Sequence, residues 1–138
     1  MFGPGLFLRI LTAAGLAVSS YIHFDLAEAY ATNGADISQG TLFRVQASVA
    51  ALAAVLVLIT AHRAVTALAL VVSAASLAAV VASVYVDLGA IGPFPNMYEP
   101  AWYGDKTISA IAEAVSTVTA AAAMLVSRHR TARDAATA

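Results

Sequence analysis

Glu113 is the only charged residue between Lys106 and Arg128, in a run made mostly of alanine, valine, serine and threonine. Placing a carboxylate in such a run costs about 2.5–3.5 kcal/mol in hydrocarbon unless it is protonated or paired, so it is the first candidate for chemistry. It lies seven residues after Lys106; at ~1.5 Å per residue it sits ~10 Å below the outer end of its span. His23 lies near the outer end of the first apolar run, so antiparallel helices would bring His23 and Glu113 to similar depths. An imidazole beside a carboxylate can relay protons or supply two metal ligands, too few for a structural zinc site. Arg44 and Gln46 enter the second apolar run at a similar level, and Tyr30 follows the first. His23, Glu113, Arg44, Gln46 and Tyr30 thus form a candidate ligand- or proton-binding site, with Tyr21 and Tyr85 as further polar groups. The structural alternative is that Glu113 pairs with Arg44 or bonds to Gln46 and only fixes helix register.

The elements that must position these residues are set by the spacing of charges. No Asp, Glu, Lys or Arg occurs in the 23 residues from Ala64 to Val86, and Glu113 alone interrupts the 21 residues between Lys106 and Arg128. Charge-free runs of 18 and 15 residues separate Arg44 from Arg63 and Arg9 from Asp25. About 20 apolar residues cross a bilayer core as a helix, and the shorter runs suffice if Arg9 and Arg44 extend their side chains into the interface. Helices are predicted over 5–30, 41–61, 64–88 and 106–127, with 128–138 a mobile cytoplasmic tail. Barrel strands do not fit, because the runs lack period-2 alternation. Met1–Arg9 followed by Ala27-Glu28-Ala29 has some features of a cleaved signal peptide. Its single arginine and long apolar core favour a retained span.

Orientation follows the basic residues. Arg9, Arg63, Arg128, Arg130 and Arg133 share one side of a four-span arrangement, whereas the other side holds only Arg44 and Lys106 among several acids. The expected fold is therefore an all-α transmembrane four-helix bundle with both termini cytoplasmic. The short Ala61-His62-Arg63 link makes the second and third helices antiparallel neighbours. The connection from Gly89 to Asp105 holds Pro93, Pro95 and Pro100 and cannot be a continuous helix. Its Phe94, Tyr98, Trp102 and Tyr103 read as an interfacial aromatic belt, or as a lid over a cavity between the outer helix ends. Small residues recur at spacing four (Gly15 and Ser19, Ala47 and Ala51, Ala50 and Ala54, Ala75 and Ala79, Ala78 and Ala82, Ala110 and Ala114), as close helix packing in lipid requires.

Composition narrows the function classes. The 138 residues are 61% hydrophobic and 11% charged, with a mean hydropathy of +0.83, too little polar surface for a water-soluble globule. A net charge of −1 offers no field for nucleic acid. With no cysteine there is no disulfide, cysteine-ligated zinc, iron–sulfur or dithiol chemistry. Bis-histidine haem is disfavoured because His62 and His129 lie at the cytoplasmic end, far from His23, and neither Met97 nor Met124 supplies a matching ligand. Ser19, Ser20, Ser48 and Ser116 lack a nucleophile motif and read as small interface residues. No phosphate loop is present, and four short-looped spans do not show the paired broken helices of a transporter. No cofactor is identified.

The stretch His23-Phe24-Asp25-Leu26 to Tyr30, then Gly40, Phe43 and Gln46, followed by Glu113 in the last span, resembles a family of small uncharacterised bacterial four-helix membrane proteins. Its pattern is a His in helix 1, a G-x-x-F-x-x-Q entry to helix 2 and a Glu in helix 4. Gly40-Thr41-Leu42-Phe43-Arg44-Val45-Gln46 fits that entry, with Arg44 at a usually apolar position. The resemblance implies the four-helix fold and suggests that His23, Gln46 and Glu113 belong together; it implies no activity.

Two functions are expected from these observations. The first is an integral membrane protein without a catalytic site that acts by association with a protein partner or as a homo-oligomer within the bilayer, as an accessory subunit of a larger inner-membrane complex. The second is a protein that binds a small ligand, a metal or protons at a polar site near the outer face.

Overall fold

A computed structural model describes residues 3–137. Four helices follow in order: α1 (Pro4–Leu26), α2 (Gln39–Ile59), α3 (Arg63–Tyr85) and α4 (Gly104–Thr137). Each is long and apolar enough to cross a membrane, so the chain has the build of a multi-pass membrane protein. We call the end that carries segments 27–38 and 86–103 the loop end, and the opposite end the terminal end.

The helix limits have local causes. Pro4 opens α1, where its missing N–H costs nothing. This helix stops at Leu26 rather than continuing to 30. Ala27 donates to the Phe24 carbonyl and Ala31 to that of Glu28, tightening the chain into turns. The start of α2 presses against these turns. A Cβ on Gly40 would fall inside contact distance of the Ala27 carbonyl oxygen and of the Ala31 backbone. The backbone N–H groups of Gln39 and Gly40 donate to the carbonyls of Asn33 (2.8 Å) and Tyr30 (3.0 Å). Ser38 caps the helix by accepting from the Thr41 N–H at 3.0 Å. At the far end of α2, Arg9 donates from Nε to the Val57 carbonyl and from Nη2 to that of Leu58, both at 2.7 Å. It was expected to reach into the interface; instead it occupies helix-end carbonyls that have no intrahelical donor.

His62 caps α3 by accepting from the Ala64 N–H, and α3 ends at Tyr85, three residues before the expected 88. Helix α4 runs to Thr137 rather than stopping at 127. Residues 128–137 contain no glycine or proline, so nothing in the sequence interrupts helix propagation. Ala138 lies outside the described residues.

Neighbouring helices in the bundle are α2–α1, α1–α4, α4–α3 and α3–α2, and the last of these pairs touches least. The α1–α4 seam is close and polar. A Cβ on Gly15 would overlap the Ser116 hydroxyl and the Ala112 carbonyl oxygen, so glycine sets the helix separation there. Thr12 and Thr119 bond through their hydroxyls at 2.8 Å, and Ser116 donates to the Thr12 carbonyl at 3.0 Å. Of the small-residue pairs, Gly15 and Ser19 and Ala50 and Ala54 are buried. Ala75, Ala78 and Ala79 of α3 are exposed. Ala75 and Ala79 border a cavity.

Candidate functional site: a carboxylate behind an inter-helix cavity

Glu113 is 1% exposed and among the largest side chains to be fully buried. Three helices supply its hydrogen bonds. Its Oε1 accepts from Ser19 of α1 at 2.8 Å, from Ser76 of α3 at 2.8 Å and from Ser109, one turn earlier on α4, at 2.9 Å. Hydroxyl donors to a carboxylate are stronger than neutral pairs and offset part of its burial cost. Oε2 is also buried and has no partner. His23 lies one turn beyond Ser19, with Nδ1 4.0 Å from Glu113 Oε1. That is too long for a hydrogen bond, and the Ser19 hydroxyl bridges the two groups, 3.4 Å from Nδ1. Nδ1 lies 2.8 Å from the Ser19 carbonyl oxygen. A carbonyl only accepts, so Nδ1 carries the proton, and in neutral His23 Nε2 presents a lone pair. The ring sits edge-on to Phe43 at 5.1 Å.

A cavity of about 250 Å³ lies against this cluster, at the small end of the range for ligand pockets. His23, Gln46, Ser76 and Ser109 contribute its polar floor, and Ile22, Leu42, Phe43 and Val80 are among its apolar walls. The Gln46 Nε2 is buried without a partner. Gly40, Phe43 and Gln46 thus acquire separate roles: close approach to the α1 turn, packing on His23 and Tyr30, and a carboxamide at the cavity.

The 86–103 segment closes the loop end, with Met97, Glu99 and Tyr103 lining the cavity. Its Phe94, Tyr98 and Trp102 face outward. The segment thus divides its residues between the cavity lining and the outer surface. Glu99 pairs with Lys106 at 2.9 Å, and Lys106 also donates to the Glu99 carbonyl at 3.1 Å. The Tyr30 hydroxyl lies 3.0 Å from each Glu99 carboxylate oxygen and 2.9 Å from the Tyr103 hydroxyl. Burial, followed by the bonds to Tyr103 and Glu99, pushes the Tyr30 phenol well above its ordinary value. Tyr103 is also raised, by burial and by the charges of Glu99 and Asp105, against a lowering contribution from its bond to Tyr30. The exposed lining residues are Ala75 and Ala79. The cavity therefore comes nearest the surface along α3, beside these two residues.

Two sequence expectations change. Arg44 does not approach Glu113; it pairs with Glu28 at 3.0 Å on the surface, the two side chains being 46% and 88% exposed. The Glu28 carboxylate at the loop end satisfies the guanidinium in a more polar setting than the bundle interior offers. Glu113 does not bond to Gln46 either: serine hydroxyls hold Oε1, and Oε2 and Gln46 Nε2 are each left without a partner. Tyr30 belongs to the Glu99 cluster at the roof, while His23, Gln46 and Glu113 gather at the floor. Ser76 and Ser109 were not singled out from the sequence, and Ser19 was read only as a packing residue. The i, i+4 spacing of Ser109 and Glu113 was the available signal. Among the described residues, no group of three His, Asp or Glu side chains is placed to hold a metal ion.

Comparison with protein-family models, with curated proteins and with solved structures finds no match for this chain.

Proposed function

We propose that this chain is a small-molecule-binding protein of a bacterial plasma membrane, with both termini cytoplasmic and its cavity near the outer face. The observation that carries this reading is the pairing of a mostly apolar cavity with two buried, unpartnered polar atoms beside it, Glu113 Oε2 and Gln46 Nε2. Buried polar groups are ordinarily bonded, and convergent polar groups at an apolar pocket are the usual signature of a ligand site. His23 and Glu113 supply recognition, Gln46 orients the ligand, and the Glu99–Lys106–Tyr30–Tyr103 cluster covers it. The five-to-two distribution of basic residues supports the orientation, and the resemblance to small four-helix bacterial membrane proteins supports the setting. A neutral probe of suitable size, 2-phenylethanol, should show saturation-transfer contacts with the wild-type protein in nanodiscs. Ala79→Phe, which crowds the cavity where it comes nearest the surface, should abolish them. A probe signal unchanged in Ala79→Phe, or absent from the wild type, would overturn this assignment.

A second reading, association with a protein partner or another copy as an accessory subunit, is favoured by a groove of small residues on the outside of α1 and α2. Ala14, Ala17 and Ala51 line it together with Phe24 and Leu58. Small residues let another helix approach closely in lipid. Cross-linking in the native membrane followed by gentle purification should then recover a stoichiometric complex. A chain that elutes alone with no cross-link would remove this reading.

A further inference from the structure

We infer that the ligand is a primary ammonium ion carrying a small apolar group, an inference that rests on the binding function proposed above. The floor of the cavity decides the chemistry. Ser76 and Ser109 line it, and each has its only hydroxyl proton committed to Glu113 Oε1. What these serines offer a ligand is therefore lone pairs. Neutral His23 adds another at Nε2, since its Nδ1 proton faces the Ser19 carbonyl. These three groups accept and do not donate. A primary ammonium has three N–H donors and no acceptor, and so complements them. The Gln46 carboxamide can rotate to present its oxygen to the same group.

Charge points the same way. The Glu113 carboxylate lies directly behind the two serines, and among the described residues its only ion-pair partner within 4.0 Å is His23. Both nearby basic side chains already have carboxylate partners: Lys106, which lines the cavity at its roof, with Glu99, and Arg44 with Glu28 on the surface. Arg9 is held at the terminal end by the last carbonyls of α2. The floor thus holds a carboxyl group whose three bonded partners are neutral serines and whose neighbour His23 turns its Nδ1 proton to the Ser19 carbonyl, in surroundings of low dielectric where a ligand's charge acts strongly. Phe43 and Tyr103 supply aromatic walls, which favour a cation further. Ala75 and Ala79, the exposed lining residues, lie on a helix long enough to span a membrane, and entry beside them suits a ligand that partitions into the bilayer. Such an ammonium can belong to a free amine or to a phosphatidylethanolamine headgroup.

The test compares three probes of one shape on protein in phosphatidylcholine nanodiscs: phenethylammonium, 2-phenylethanol and N,N,N-trimethylphenethylammonium. Phenethylammonium should bind at least about tenfold more tightly than either of the others, because only it combines charge with N–H donors. Glu113→Gln should remove that advantage, and an amine preference undiminished in this variant would overturn the inference. A wild-type helical circular-dichroism spectrum and unfolding midpoint check that the variant is folded. If the alcohol binds as well as the amine, the ammonium inference fails and the pocket stands. Equal binding of the trimethyl compound would overturn the acceptor floor. If none of the three binds, both readings fall. Adding phosphatidylethanolamine to the discs separates the sources: competition assigns the ammonium to a lipid headgroup, and its absence assigns it to a free amine.

Discussion

The floor and the roof of the cavity each hold a carboxylate, and each offsets its burial differently. Glu99 at the roof has a cation at 2.9 Å, a phenol at 3.0 Å and partial access to solvent, with its side chain 37% exposed. Glu113 at the floor has three hydroxyls on one oxygen, nothing on the other and no solvent. The roof is electrostatically closed; the floor is hydrogen-bonded on one side only. A carboxylate that only had to be tolerated would resemble Glu99. The arrangement at Glu113 keeps a charge in the bundle while leaving half of its bonding capacity available.

The largest effect should come from the floor. Ser19→Ala combined with Ser76→Ala removes two of the three hydroxyl donors to Glu113. At about 1.5–3 kcal/mol per bond to a charged group, the double variant should lose about 3–6 kcal/mol in equilibrium unfolding in detergent. Adding Glu113→Leu should recover most of that loss, since the uncompensated charge is then gone. A double variant as stable as the wild type would erase the distinction between the two carboxylates.

A smaller effect is expected at the roof. Lys106→Met leaves Glu99 with the Tyr30 phenol and partial solvent, and should cost about 1 kcal/mol in the same assay. A loss as large as that at the floor would show that both ends depend equally on their partners.

The smallest effect appears only in alkali. The Tyr30 phenol is raised above its ordinary value of about 10, so the unfolded chain loses that proton first as pH increases. The associated stability is fully present below pH 10 and declines above it, toward the raised value of the folded protein. Thermal unfolding of the wild type should therefore worsen above about pH 10. Tyr30→Phe should flatten that decline, leaving only the contribution of Tyr103. An identical profile in the two proteins would contradict the roof geometry.

The four helices were legible because hydrocarbon imposes a length and an apolarity that charges such as Arg63, Asp87 and Lys106 punctuate visibly. The neighbourhood of His23 and Glu113 was legible for a related reason, since depth in a bundle can be counted along each helix. The bonding within it was less so. Serine is common among the small packing residues of this chain, and nothing local separates Ser76, which reaches Glu113, from Ser73, which bonds back to the Ala69 carbonyl. Arg44 misled because its depth matched that of Glu113, whereas its direction around α2 was decided by Glu28. The end of α1 at Leu26 depended on the approach of Gly40, a contact between segments that a linear reading does not contain.

The grip of Arg9 on the last carbonyls of α2 bears on how the protein is made. Synthesis delivers α1 first and α2 next, and the hairpin they form already contains both halves of this clasp. Once Leu58 has left the ribosome, the leading pair can fasten its open end without waiting for α3 or α4. Ser19 and His23 on that hairpin meet Glu113 only when α4 is in place.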